Sequence, residues 1–108
     1  GITNMHSGCI LENIVAIELL LRGYEVYVGT LYKTEIELIA IKRNEKIYIQ
    51  VSDNISDDKT FNREISPLLK ISDAYPKIVI ARTRHDEYQY EGIRIIDISD
   101  WLCKIVKS

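Results

Sequence analysis

An α/β fold, with a mixed sheet packed between helices in an α/β/α sandwich, is the class that three patterns in this sequence predict. Apolar residues recur at Ile10, Ile14, Ile17 and Leu21 with the period of a helix, and Gly23 follows as a stop residue. Residues alternate with a period of two over Glu35 to Ile41 and Lys46 to Ser52, as in strands with two unlike faces. Lys77 to Ala81 is a continuous apolar run, which suits a central strand covered on both sides.

Taken in order, the first element is a helix over Cys9 to Arg22. Leu11, Val15, Leu19 and Leu20 add apolar character around most of its circumference, so it is expected to be buried. Three strands follow, Tyr24 to Gly29, Glu35 to Ile41 and Lys46 to Ser52, the last two joined by the turn Lys42-Arg43-Asn44-Glu45. Asp57 or Asp58 caps a second helix to about Leu69, with Ile65, Leu68 and Leu69 as its apolar stripe and Pro67 able to kink its last turn. After the Tyr75-Pro76 turn come the strand Lys77 to Ala81, a loop from Arg82 to Glu91, and a strand from Gly92 to Ile96. Ser99 then caps a final helix through Trp101, Leu102 and Val106. The expected order is α-β-β-β-α-β-β-α.

At 108 residues and 12.5 kDa the chain fits a single domain, residues 1–108. With 46% hydrophobic and 28% charged residues it has the composition of a chain that folds by itself. A net charge of −2 provides no global positive field, so any contact with DNA has to come from a local patch. No apolar run reaches the ~18 residues of a membrane span, and Gly1 to Ser7 lacks the regions of a signal peptide, so no membrane partner is expected. Cys9 and Cys103 form neither a disulfide framework nor a zinc spacing, and are expected to be reduced, buried thiols in a cytoplasmic protein. There is no internal repeat, and no GxxxxGK[ST] or GxGxxG phosphate loop, so no nucleotide site of that kind is expected.

Candidate chemistry lies where polar groups fall within apolar elements. On the first helix Glu12 sits between Leu19 and Ala16, in an apolar sector. On the second strand Glu35, Glu37, Ile39 and Ile41 share one face, opposite Ile36, Leu38 and Ala40; on the third, Tyr48, Gln50 and Ser52 share a face. A helix laid over that polar face would gather Glu12, Glu37 and Gln50. As structural groups, Glu12 and Glu37 would pair with Lys33, Arg22 or tyrosine hydroxyls.

The order of helix glutamate, acid-x-acid on one strand and [E/Q]-x-[K] on the next, then a helix and a strand, resembles the PD-(D/E)XK nuclease-like, or restriction-endonuclease-like, fold. More closely, LENIVAIELLLRGYEVYVG, EIELIAIK, YIQVS, TFNREISPLLKISDAYPKIVI and EGIRIIDISDWL are similar to the domain of unknown function at the C-terminus of many prokaryotic AAA-type ATPases. The resemblance runs from about Leu11 to Leu102. It implies an upstream ATPase domain in the same chain, where ATP hydrolysis would reside.

Carried over by position, the resemblance puts the first-helix acid at Glu12, the metal-binding aspartate at Glu37, the second metal acid at Gln50 and the lysine at Ser52. A Mg²⁺-dependent phosphodiesterase needs carboxylates around a hard cation and a positive group near the scissile phosphate. Gln50 and Ser52 provide neither, and Glu37 is a methylene longer than aspartate. The expectation is therefore a degenerate, non-catalytic site with no cofactor, in an accessory domain for docking or nucleic-acid sensing. The alternative is an active Mg²⁺-dependent DNA endonuclease with a rearranged site. A migrated lysine would be needed, and Lys33 and Lys46 lie roughly 13 Å away along their strands.

Two further patches are candidates for DNA contact. Lys59, Arg63 and Lys70 form a basic stripe on the second helix, and Arg82 and Arg84 are interleaved with His85, Tyr88 and Tyr90 in the following loop. Three acids in that loop offset its charge, which favours an ordinary surface loop or a protein contact. Neither His6 nor His85 has a second ligand at metal spacing.

Overall fold

A sheet with two apolar faces must be covered on both, and the chain has a helix for each. The computed structural model describes residues 7–31 and 33–103, with the side chains of residues 7–9 and 31 outside the description. The elements are α1 (Ser7–Leu21), β1 (Glu25–Leu31), β2 (Thr34–Lys42), β3 (Glu45–Ser52), α2 (Asp58–Leu69), β4 (Lys77–Ala81), β5 (Tyr88–Tyr90), β6 (Ile93–Asp97) and α3 (Ile98–Cys103). They build one mixed six-stranded sheet in the order β1-β2-β3-β4-β6-β5. β1, β2 and β3 form an antiparallel meander, α2 crosses over between the parallel neighbours β3 and β4, and β6 runs parallel to β4.

The α/β class holds, but the element order gains a strand. β5 lies inside the stretch expected to be a loop, pairing antiparallel to β6. Glu91 and Gly92 connect the two with φ values of 53° and 82°, the two left-handed residues that the tightest hairpin turn requires. The end of the expected third helix, through Val106, falls outside the described residues.

One core cluster joins Leu11, Val15 and Leu19 of α1 to Leu38, Ala40, Ile49, Val51, Ile78, Ile80 and Ile96 of the sheet, with Trp101 of α3. The other joins Ile65 and Leu68 of α2 to Ile36, Tyr48, Val79, Ile93 and Ile95. Val79, Ile80 and Ala81 are fully buried, so β4 is the central strand its apolar run implied.

Three burial expectations are corrected. Ile10, Ile14, Ile17 and Leu21, which set the helical period of α1, are exposed, as is Leu20; Leu11, Val15 and Leu19, with Ala16 partly buried beside them, meet the sheet. The helix carries two apolar stripes, and one sheet face can cover one of them. On α2, Leu69 is exposed and the stripe is Ile65 and Leu68, with Phe61 partly buried and Glu64 inside. Cys103 is exposed, because Ile98 and Trp101 form the buried side of α3. Cys9 has its side chain outside the description.

The caps follow local chemistry. Asp57 is the N-cap of α2, its carboxylate accepting from Thr60 N–H at 3.0 Å. α3 is capped by Asp97, where Ser99 was expected. The buried Asp97 carboxylate accepts from Ser99 N–H at 3.0 Å and from Arg84 N–H at 2.8 Å. Burial pushes its pKa up, but the surrounding backbone N–H groups outweigh that and hold it below the usual aspartate value.

Candidate functional site

The site begins with an irregularity in β2. Between the pairs Tyr27↔Ile39 and Gly29↔Ile36, β1 advances two residues and β2 three. An extra residue of this kind is a β-bulge, and it turns the side chains beyond it to the other face. Leu38 and Ala40 thus join the α1 side while Ile36 joins the α2 side. Simple alternation had placed all three together, and the bulge is why that expectation fails.

On the other edge of β2, just past the last β2–β3 pair Leu38↔Ile49, two side chains link the strands at Glu37. Val51 N–H donates to Glu37 Oε1 at 2.6 Å, and Glu37 N–H donates to Gln50 Oε1 at 2.8 Å. Glu37 is half-buried and Gln50 is buried. Tyr48, Gln50 and Ser52 do share a face, but α2 covers it and α1 lies on the opposite side.

Glu12, Glu37 and Gln50 nevertheless line one cavity of about 610 Å³, bordered by both helix layers and the ends of β1 and β2. Glu64 of α2 lines it too, and sequence reasoning missed this acid. Its signal was its position directly before Ile65 in the buried stripe. Lys33, Arg63 and Lys70 bring positive charge to the same cavity. Lys33 was expected to lie too far along its strand; it sits instead in the β1–β2 connection at φ 63°, beside the bulge.

The acids share an electrostatic problem. Burial pushes Glu37 up to about 7, its bond from Val51 N–H opposes the shift, and Glu64 and Glu12 add to it. Burial also raises Glu64 and Glu12 above the usual glutamate value, with Arg63 partly relieving Glu64. The pairing expected for Glu12 and Glu37 with Arg22 is absent: Arg22 lies 3.7 Å from Glu18 and stacks on Trp101, 4.0 Å from the ring centre.

Ser52 is buried outside this cavity, and its hydroxyl donates to Asn54 O at 3.3 Å. Lys46 is likewise remote, lying over the rings of Tyr48 and Tyr75. Among the described residues no three His, Cys, Asp or Glu side chains converge closely enough to hold a metal ion. Glu37 and Gln50 each already commit one oxygen to a backbone N–H.

The DNA-contact candidates are divided. Arg63 lines the acidic cavity, and Lys59 is an exposed residue in the first turn of α2. Arg82 pairs with Asp53 at 3.3 Å and lines a second cavity on the other side of α2. Arg84 is exposed, with φ 59°.

No family model matches the chain. An uncharacterized protein of Haemophilus influenzae is 45% identical to it over 92 residues, 85% of this chain, and the chain spans 22% of that relative's length. Among the described residues, no helix is long and apolar enough to cross a membrane.

Proposed function

We propose that this is a nuclease-like domain of the restriction-endonuclease type whose site has become structural, serving as an accessory for docking or nucleic-acid sensing beside an ATPase in a longer chain. One observation carries the reading. Glu37 and Gln50, at the two positions that the resemblance assigns to metal-binding acids, each direct one oxygen, Oε1, to a backbone group: Glu37 to Val51 N–H and Gln50 to Glu37 N–H. A ligand oxygen that already mends a strand ladder is poorly placed for a cation as well. The position of the usual lysine holds the buried Ser52, which does not line the cavity. Coverage of about a fifth of the Haemophilus relative agrees with a part of a larger protein, and the ATPase context rests on the sequence resemblance.

Glu64, Lys33 and Lys70 favour the alternative, a metal-dependent DNA endonuclease with a rearranged site, because they add a fourth acid, beside Glu12, Glu35 and Glu37, and two cations to the cavity. Plasmid nicking with Mg²⁺ or Mn²⁺ separates the two. The expected result is no nicking above background and no rise in melting temperature with metal. Metal-dependent nicking that disappears in Glu37→Ala would establish the endonuclease instead.

A further inference from the structure

The parallel strands β3 and β4 both end at a second cavity, of about 450 Å³, distinct from the acidic one. Open α/β sheets place ligands outside the carboxyl ends of their strands. Here the walls are aromatic. Tyr88 and Tyr90 pair directly with Ile95 and Ile93, which lie in the core beneath α2, so both rings project on the α2 side of the sheet edge. Phe61 of α2 closes the group, meeting Tyr90 edge-to-face with centroids 5.0 Å apart. Arg82, paired with Asp53 at 3.3 Å, and His85 supply polar groups at the rim, with Asp58 also in the lining.

The arrangement is held in place before any ligand arrives. Arg82 N–H donates to Asp53 O at 3.3 Å, tying the β4 end to the β3 end. Asp97 holds Arg84 in the left-handed region, and His85 N–H donates to Thr83 Oγ1 at 3.1 Å. Tyr88 and Tyr90 keep 42% and 40% of their surface exposed, so both rings are open to a ligand.

We propose that this cavity takes one unpaired base of a single-stranded nucleic acid, stacked on Tyr88 or Tyr90, with its phosphate beside Arg82. Stacking suits any base, and a cation beside it meets the backbone. A paired base is held within its duplex, so single strands are favoured over double strands. Phosphate loops, which this sequence lacks, grip a triphosphate by its backbone cradle; here the grip is on the base. The proposal rests on the nucleic-acid-sensing reading given above, and it assigns that reading a site.

Fluorescence anisotropy with a labelled ten-nucleotide deoxyadenosine strand tests it, with the matching duplex and adenosine 5′-monophosphate as competitors. Tyr88→Ala and Tyr90→Ala should each weaken strand binding by about tenfold. Tyr90→Phe, which keeps the ring against Phe61, should retain binding. Both tyrosines are exposed, and unchanged thermal unfolding of the variants confirms that the fold is intact. Competition by the mononucleotide as strong as by unlabelled strand would identify a free nucleotide as the ligand and overturn the strand assignment. Strand binding unaffected by both alanine variants would remove the site while leaving nucleic-acid sensing in place. No binding of any probe would end both.

Discussion

Glu37 and Gln50 complete each other's strands: the Gln50 amide oxygen accepts the Glu37 N–H at 2.8 Å, and the Glu37 carboxylate accepts the N–H of Val51, the residue after Gln50, at 2.6 Å. The pair carries the β2–β3 connection past the last backbone pair, Leu38↔Ile49. Two residues at positions expected to hold a metal thus act as backbone ligands for their own sheet.

Removing one member should therefore cost stability. Gln50→Ala leaves the Glu37 N–H without its acceptor in a part-buried position. The expected loss is about 1–3 kcal/mol. Urea unfolding should show a lower midpoint with an unchanged slope. A wild-type midpoint would show that the bond contributes nothing.

Stability should also fall as pH rises from about 4.5 to 7. The folded-state pKa of Glu37 is raised to about 7, so over this range the folded protein binds the proton more tightly than the unfolded chain, and ionisation on approach to neutrality disfavours folding. After discounting for solvent screening the effect is on the order of 2 kcal/mol. Glu37→Gln should flatten the slope and raise stability at pH 8, since an amide oxygen still accepts from Val51 N–H. Denaturation midpoints at pH 5 and pH 8 for both proteins decide the matter.

The opposite sign applies to Asp97. Its pKa is held below 3.8 in the fold, so its stabilising contribution is present above that value and fades as pH falls through the folded-state pKa. Asp97→Ala removes acceptors from Arg84 and Ser99 N–H and should cost about 2–3 kcal/mol at neutral pH. Acid titration followed by tryptophan fluorescence should show a shallower acid transition in the variant.

Contact with DNA is expected to be weak and salt-sensitive, because the molecule carries a net charge of −2 and its cations are local. Lys59, Arg63, Arg82 and Arg84 are all exposed. Reversing two charges, Arg63→Glu with Arg84→Glu, should abolish binding at 50 mM salt, roughly the low end of the usual range. An unchanged anisotropy titration would assign binding to other groups.

The legible parts of this chain were those governed by local physics. Asp57 and Asp58 marked the start of the second helix, with Asp57 proving the cap, Lys77 to Ala81 announced a strand buried on both faces, and the alternation of Lys46 to Ser52 placed Gln50 and Ser52 together. β5 was missed: Tyr88-Gln89-Tyr90 is only three residues long, lies within a stretch read as a loop, and gains its pairing from β6.

The sequence by itself determined the α/β class and the helix and strand periods; it named Glu12, Glu37 and Gln50 as neighbours, but through a helix placement that the fold does not adopt. Tertiary structure decided which stripe of α1 meets the sheet, that Glu64 and Lys33 enter the cavity, and what Glu37 and Gln50 do there. The physical reason is the range of each effect. Periodicity and capping act over a few neighbouring residues, whereas the β2 bulge arises from pairing between strands, and one extra residue reassigns every side chain beyond it to the other face of the sheet.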